Sequence, residues 1–298
     1  MIYHANPLKK TGRRGTPLLT VKAKFMLLGA ACSFGLMALF VKLASETYTG
    51  GQIAFVRSAL SVLLFLALFQ GRALPRRVVN LPLLWTRGAL GGAAALCYFI
   101  ALEHTTVGKA ALLNNTSPIF AALLSSIALR ERLARSGWLA LLTSFGGMTL
   151  ILRPDLSGIR WGDAIGLLSG ALSGSAYLSI RALRKTDSTW AIFFAFSLGG
   201  LACSLPFAFT SWPPFAFPST WWLLGMWASS WIAQILMTYS LKFIPAAEGG
   251  ILVLSTSVFA ALWGFLILGQ PVTGSDLLGG GLILGGCAWI LKAKEMKN

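Results

Sequence analysis

At 298 residues the chain has the length of one large α/β domain or two average ones, yet 56 % of it is hydrophobic, only 11 % is charged and its mean hydropathy is +0.72. A soluble domain is about a quarter charged, so this chain lacks the polar surface to cover a globule in water. Its net charge of +16 would suit nucleic acid in a soluble protein; here the cations fall between long apolar runs, which points to a lipid surface and away from a nucleic-acid partner.

A bilayer core takes about 20 apolar residues per helix. A basic N-terminal tail over 1–23, with Lys9, Lys10, Arg13, Arg14 and Lys22, leads into ten such runs. They fall at about 24–45, 51–69, 81–102, 106–128, 137–153, 162–183, 188–210, 220–242, 245–268 and 274–292. The first run exceeds the ~7–15 apolar residues of a cleaved leader, so it reads as an uncleaved span. The expected fold class is an all-α membrane protein of ten transmembrane helices in the bacterial inner (plasma) membrane. Segments on the N-terminal side hold nineteen cations. Those on the other side hold three, Lys109, Arg153 and Arg160, while Lys42, Arg57 and Arg87 fall inside spans. Such a bias predicts both termini in the cytoplasm. Trp85, Trp138, Trp161, Trp190, Trp212, Trp221, Trp222 and Trp289, near span ends, fit interfacial belts.

Cys32, Cys97, Cys203 and Cys287 all sit in apolar runs and form no CxxC pair, and the histidines His4 and His104 are far apart. No metal site and no cofactor is expected from them.

The chain repeats itself. At a constant offset of 139, residues 98–153 overlay 237–292 without gaps. Phe120-Ala121-Ala122-Leu123 falls on Phe259-Ala260-Ala261-Leu262 and Gly146-Gly147 on Gly285-Gly286. The same offset pairs Gly35 with Gly174 and Lys42 with Arg181. The first copy covers 24–153 and the second 162–292. Five spans per copy is odd, so the two copies must cross the membrane in opposite directions. Inverted repeats of this kind build many secondary transporters, with the substrate held at mid-membrane between the halves.

Arg87-Gly88, Tyr98-Phe99, Ala101-Leu102, Ala110, Leu113, Ser117-Pro118-Ile119-Phe120 and Glu131-Arg132-Leu133 together resemble the EamA family of the drug/metabolite transporter superfamily. The second copy repeats the resemblance in Ala246-Ala247-Glu248, Leu252 and Val258-Phe259. Two positions depart from it: Gln270 stands where the family commonly has Glu, and Ser257 where a proline is usual. The resemblance implies a ten-helix carrier with both termini inside, moving small organic metabolites by alternating access and often exporting amino acids. In the family, helices one, three, four, six, eight and nine surround the central path.

Cations inside a span cost about 2.5–3.5 kcal/mol each at mid-bilayer. Lys42 and Arg181 lie near span ends and can snorkel; Arg57 and Arg87 lie deeper. Those two serve either as ties between helices or as charges facing a cavity. All nine carboxylates fall at or beyond span ends, which disfavours a cation/proton exchanger built on a buried acid. A cavity holding Arg87 and no acid favours a carboxylate or phosphate on the cargo, because guanidinium presents a bidentate fork. Facilitated diffusion or exchange is the simplest mechanism, with proton coupling through Glu248 or Glu103 left open.

Helical spacing puts Arg87, Gly91, Ala94 and Tyr98 on one face, and Trp227, Trp231, Gln234 and Thr238 on another. Asn114 and Asn115, Tyr177, and Ser255, Thr256 and Trp263 complete the candidate cavity, with Arg57 as a second intramembrane charge. Each of these polar groups is either a cavity wall or an interhelical tie. Gly166, Gly170 and Gly174 form a ladder for close helix packing, and Pro118 introduces a bend. No intramembrane His or Asp and no GxSxG motif supports an enzyme. The expected activity is transport of an amino acid or related carboxylate-bearing compound, with a nucleoside-like metabolite such as S-adenosylmethionine as the alternative, stacking on Trp227 and Trp231. A non-transport scaffold is the remote reading. The expected partners are the small-molecule cargo and the lipid bilayer, and the expected state is a monomer or weak homodimer.

Overall fold

The computed structural model describes residues 17–69, 78–105, 107–131, 133–153, 158, 160–214 and 217–292. The basic stretch 1–16 and the cations Arg72, Arg76, Arg77, Arg132, Lys294 and Lys297 lie outside them, as does the side chain of Glu103. Among the described residues every regular element is helical. In chain order they are α1 (Pro17–Ala44), α2 (Gly50–Phe69), α3 (Leu81–His104), α4 (Val107–Asn114), α5 (Ser117–Ala128), α6 (Arg135–Leu152) and α7 (Trp161–Leu183). Then come α8 (Thr189–Ser204), continued by a 3-10 turn (Leu205–Phe209), α9 (Ser219–Ser240), α10 (Ala246–Val253), α11 (Thr256–Leu268) and α12 (Gly274–Lys292). The pairs α4–α5 and α10–α11 are each one rod broken at its middle, so the described helices make ten rods. Seven of them are long and apolar enough to cross a bilayer, and α6, α7 and α9 are more polar.

The described helix α1 begins ahead of the apolar boundary at residue 24, and Lys24 within it is 3 % exposed. Its Nζ donates to the carbonyls of Ile290 and Leu291 at 2.9 and 2.8 Å. These are the last carbonyls of α12, where a cation meets the negative end of the helix dipole. The start of α1 and the end of α12 therefore share one end of the bundle, called here the terminal end. Helix α7, the counterpart of α1, begins at the far end, where Asp163 accepts from Thr105 at the close of α3 at 2.6 Å and pairs with Lys109 at 2.7 Å. The second copy thus runs against the first.

The two broken rods interrupt at equivalent places. Asn115 and Thr116 part α4 from α5, and Leu254 and Ser255, 139 residues on, part α10 from α11. Pro118 removes a backbone donor in the first copy; the second has Ser257 there and breaks anyway. Both breaks carry a hydroxyl turned back on the chain. Thr116 Oγ1 donates to Leu113 O at 2.6 Å and Ser255 Oγ to Leu252 O at 2.7 Å, taking up a carbonyl near each interruption.

Small residues let the copies interlock. A Cβ on Gly174 would lie 2.7 Å from Phe120, and one on its counterpart Gly35 would lie 2.8 Å from Ala260 N. Backbones this close admit no larger side chain. Gly170 meets Thr116 and Leu113 in the same way, and Gly166 touches Leu113. The Pro118 ring packs on Gly250, joining the two broken rods. Leu27, Ile180, Leu183, Leu241 and Ile251, all at most 1 % exposed, fill the terminal end.

Candidate functional site

Between the two copies lies a cavity of about 160 Å³. Helices α3, α4 and α7 pack together and give one wall: Arg87, Tyr98, Asn114, Asn115, Ser173 and Tyr177. Helices α1, α9 and α10 give the facing residues Phe34, Met37, Ala38, Met237 and Val253. Gln234 and Thr256 are the polar groups on that side. The repeat relates the walls residue by residue: Ser173, Ala176 and Tyr177 map onto Phe34, Met37 and Ala38, Tyr98 onto Met237, and Asn114 onto Val253. One copy's polar side chain thus faces the other's apolar one, and the cavity is polar on one side and oily on the other.

Arg87 is 2 % exposed, and its Nε and Nη1 have no hydrogen-bond partner. Gly91, one turn on, leaves room for the guanidinium, since a Cβ there would collide with Nη1. The guanidinium carbon lies 4.6 Å from the centroid of Phe196. Arg57 sits 5.0 Å from the same ring and 5.5 Å from that of Phe99. No Asp or Glu lines the cavity among the described residues.

Removing an ion from water costs several kcal/mol, and a desolvated cation–π contact returns about 2 kcal/mol. The shared ring holds the two guanidinium carbons within about 10 Å of each other. At that distance and an effective dielectric of about 20, like charges repel by about 1.7 kcal/mol. The protein's own groups leave the pair under-compensated.

Neutral polar groups line both sides. Asn114 Oδ1 accepts from Ser169 Oγ at 3.0 Å and Ser173 Oγ at 3.3 Å, which fixes the amide and turns its NH₂ to other partners. Thr256 Oγ1 is buried without a partner, and Gln234, 5 % exposed, lines the cavity.

The remaining candidates sit elsewhere. Trp227 Nε1 donates to Ser61 Oγ at 3.1 Å, tying α9 to α2. Trp231 packs with Phe65, Trp190 and Phe193, and Thr238 is fully buried with Oγ1 unpartnered. Ser255 spends its hydroxyl on the helix break, and Trp263 Nε1 donates to Cys32 O at 3.2 Å. Glu248 lies in the first turn of α10, off the cavity wall. The cavity residues missed from sequence are Phe34, Met37, Ala38, Ala95, Phe99, Ser173, Ala176, Phe196, Met237 and Val253. Applying the repeat offset to Tyr98, Asn114 and Tyr177 would have found Met237, Val253 and Ala38. Among the described residues no three His, Cys, Asp or Glu gather to hold a metal.

The model of the EamA-like transporter family matches residues 21–153 and 160–292. The pseudopaline exporter CntI of Pseudomonas aeruginosa is 30 % identical over 89 % of this chain and 94 % of its own length. A riboflavin transporter of Rhizobium johnstonii is 28 % identical over 72 % of this chain and 70 % of its own. A crystal structure superposes with a TM-score of 0.75 at 18 % identity, covering 93 % of this chain and 99 % of the other, which shows the shared fold. The relatives are transporters rather than enzymes, and the apolar rods make this a multi-pass protein of the inner (plasma) membrane. With both copies matched, the chain belongs to the EamA-like transporter family.

Proposed function

We propose that this protein carries an amino acid or related carboxylate-bearing metabolite across the inner membrane by alternating access, as an exporter or facilitated exchanger. Its ten rods span the bilayer with both termini in the cytoplasm, the side favoured by nineteen cations against three. One observation carries the reading: Arg87 is buried in a central cavity, with two donors unpartnered and no described carboxylate beside it. Such a group binds a carboxylate through a bidentate fork. A relative named as an exporter supports the direction. The nucleoside-like alternative loses its stacking platform, because Trp227 and Trp231 lie off the cavity.

Counterflow of radiolabelled amino acids in proteoliposomes tests this. Wild-type protein is expected to exchange at least one, and Arg87→Ala to raise its KM or slow it by about 10–100-fold, the value of a charge-assisted pair. Exchange at the wild-type rate by Arg87→Ala would refute the assigned role.

A further inference from the structure

The carboxylate reading uses one of the two buried cations, and the other has no assigned work. Arg57 is 8 % exposed, and its guanidinium rests on the rings of Phe196 and Phe99 rather than on any described acid. It lines the same cavity as Arg87 and shares the Phe196 ring with it. By the repeat offset, the counterparts of Arg57 and Arg87 are Phe196 itself and Met226. Both charges thus stand on one side of the cavity, and the other copy offers nothing to neutralise them. A cargo with a single carboxylate would leave one cation buried and uncompensated, which is costly in a low-dielectric interior.

Resting on the reading that this cavity holds the cargo, we infer that the cargo carries two negative charges, taken by Arg57 and Arg87 around the Phe196 ring, and an apolar chain. That chain lies against Phe34, Met37 and Met237, with Gln234 and Thr256 as the polar groups on their side. Two carboxylates, or one phosphate monoester, meet the charge requirement.

The test is counterflow in proteoliposomes with norleucine, 2-aminoadipate and glycerol 3-phosphate. The first two share a carbon count and differ by one carboxylate. Wild-type protein is expected to prefer 2-aminoadipate over norleucine by about tenfold or more in kcat/KM. Arg57→Gln is expected to erase most of that preference, and Arg57→Lys, which keeps the charge, to restore part of it. Ligand-dependent thermal stabilisation in detergent, read on the same variants, reports the preference even where reconstitution fails. Equal exchange of norleucine and 2-aminoadipate, unchanged in Arg57→Gln, would overturn the double-charge inference while leaving the carboxylate reading intact. Exchange of glycerol 3-phosphate alone would keep the double charge and overturn the carboxylate reading. Exchange of none of the three, with no stabilisation, would overturn both.

Discussion

The two ends of the bundle are built from the same turn and closed to different degrees. Helices α5 and α11 finish alike: Glu131 N–H donates to Ser125 O at 3.1 Å, and its counterpart Gln270 N–H to Gly264 O at 3.2 Å. The residues before them, Arg130 and Gly269, are both left-handed, at φ 54° and 62°. Only the side chains differ. At the terminal end Arg181 reaches Glu131 at 3.2 Å and donates to the last carbonyls of α9, Leu241 at 3.1 Å and Lys242 at 2.5 Å. At the far end its counterpart Lys42 is exposed and Gln270 carries no charge to meet it. Beside Lys42 lies a second hollow of about 440 Å³, divided from the cavity by Phe99, which lines both. The terminal end is thus closed by apolar packing and a charge latch, the Arg181–Glu131 pair, while the far end, tied by Lys109–Asp163 and Arg153–Asp276, keeps a hollow and has no ion pair at the Lys42–Gln270 position. The equivalent positions of the inverted repeat are therefore closed unequally.

Helix pairing differs in the same manner. Helix α8 lies directly on α3 through glycines: a Cβ on Gly199 would sit 2.1 Å from Gly88 O, and one on Gly92 2.5 Å from Gly199. In the equivalent pair, α9 and α2, Trp227 and Trp231 stand where Gly88 and Gly92 stand. The first contact is a backbone seam, and the second is held by side chains that can repack.

The largest expected effect follows from that seam. Gly199→Leu should abolish the folded monomer peak in size-exclusion chromatography, because backbone atoms cannot retreat from the new side chain. Trp227→Ala, across the equivalent pair, should cost only about 1–2 kcal/mol and lower Tm by a few degrees. Equal damage from both would erase the distinction. Next is the latch. Glu131→Gln should favour opening of the terminal end by about 5–30-fold, since a half-buried pair is worth about 1–2 kcal/mol. Alkylation of Leu241→Cys from the terminal side should rise accordingly.

Gln270→Glu should act in the opposite sense and more weakly, by at most about fivefold. It offers Lys42 a partner when the far end closes, and exposed pairs contribute about 0.2–1 kcal/mol. The smallest effect concerns Arg130. A non-glycine residue in the left-handed region costs about 1–2 kcal/mol, part of which glycine gives back as chain entropy. Arg130→Gly should therefore raise stability by about 0.5–1 kcal/mol, seen as a small increase in Tm, whereas Gly269→Arg should lower it.

Much of this was legible in the residues. Composition required a membrane bundle, and the offset of 139 paired Gly35 with Gly174, which make close contacts in both copies. The face of α3 was readable because Arg87, Gly91, Ala94 and Tyr98 differ chemically from lipid-facing side chains, and all four line the cavity. The opposite wall was not, because Phe34, Met37 and Val253 look the same against a cavity as against acyl chains. Spacing also put Trp227, Trp231, Gln234 and Thr238 on one face of α9, where Gln234 alone of the four lines the cavity. Period fixes a direction around the helix; depth along it and the neighbouring helix decide what each residue meets. The break at Ser255 was hidden because Ser257 stands where Pro118 marks the first copy's break.

Ala38 lines the cavity on α1, opposite its counterpart Tyr177, and a cysteine there reports access directly. In oriented vesicles, a membrane-impermeant maleimide should label Ala38→Cys from the far-end side in otherwise wild-type protein. It should label from the terminal side once Glu131→Gln is added, and a transported carboxylate should slow both reactions. Labelling from neither side, or labelling indifferent to the latch and to cargo, would contradict a cargo-holding cavity that opens to each face in turn.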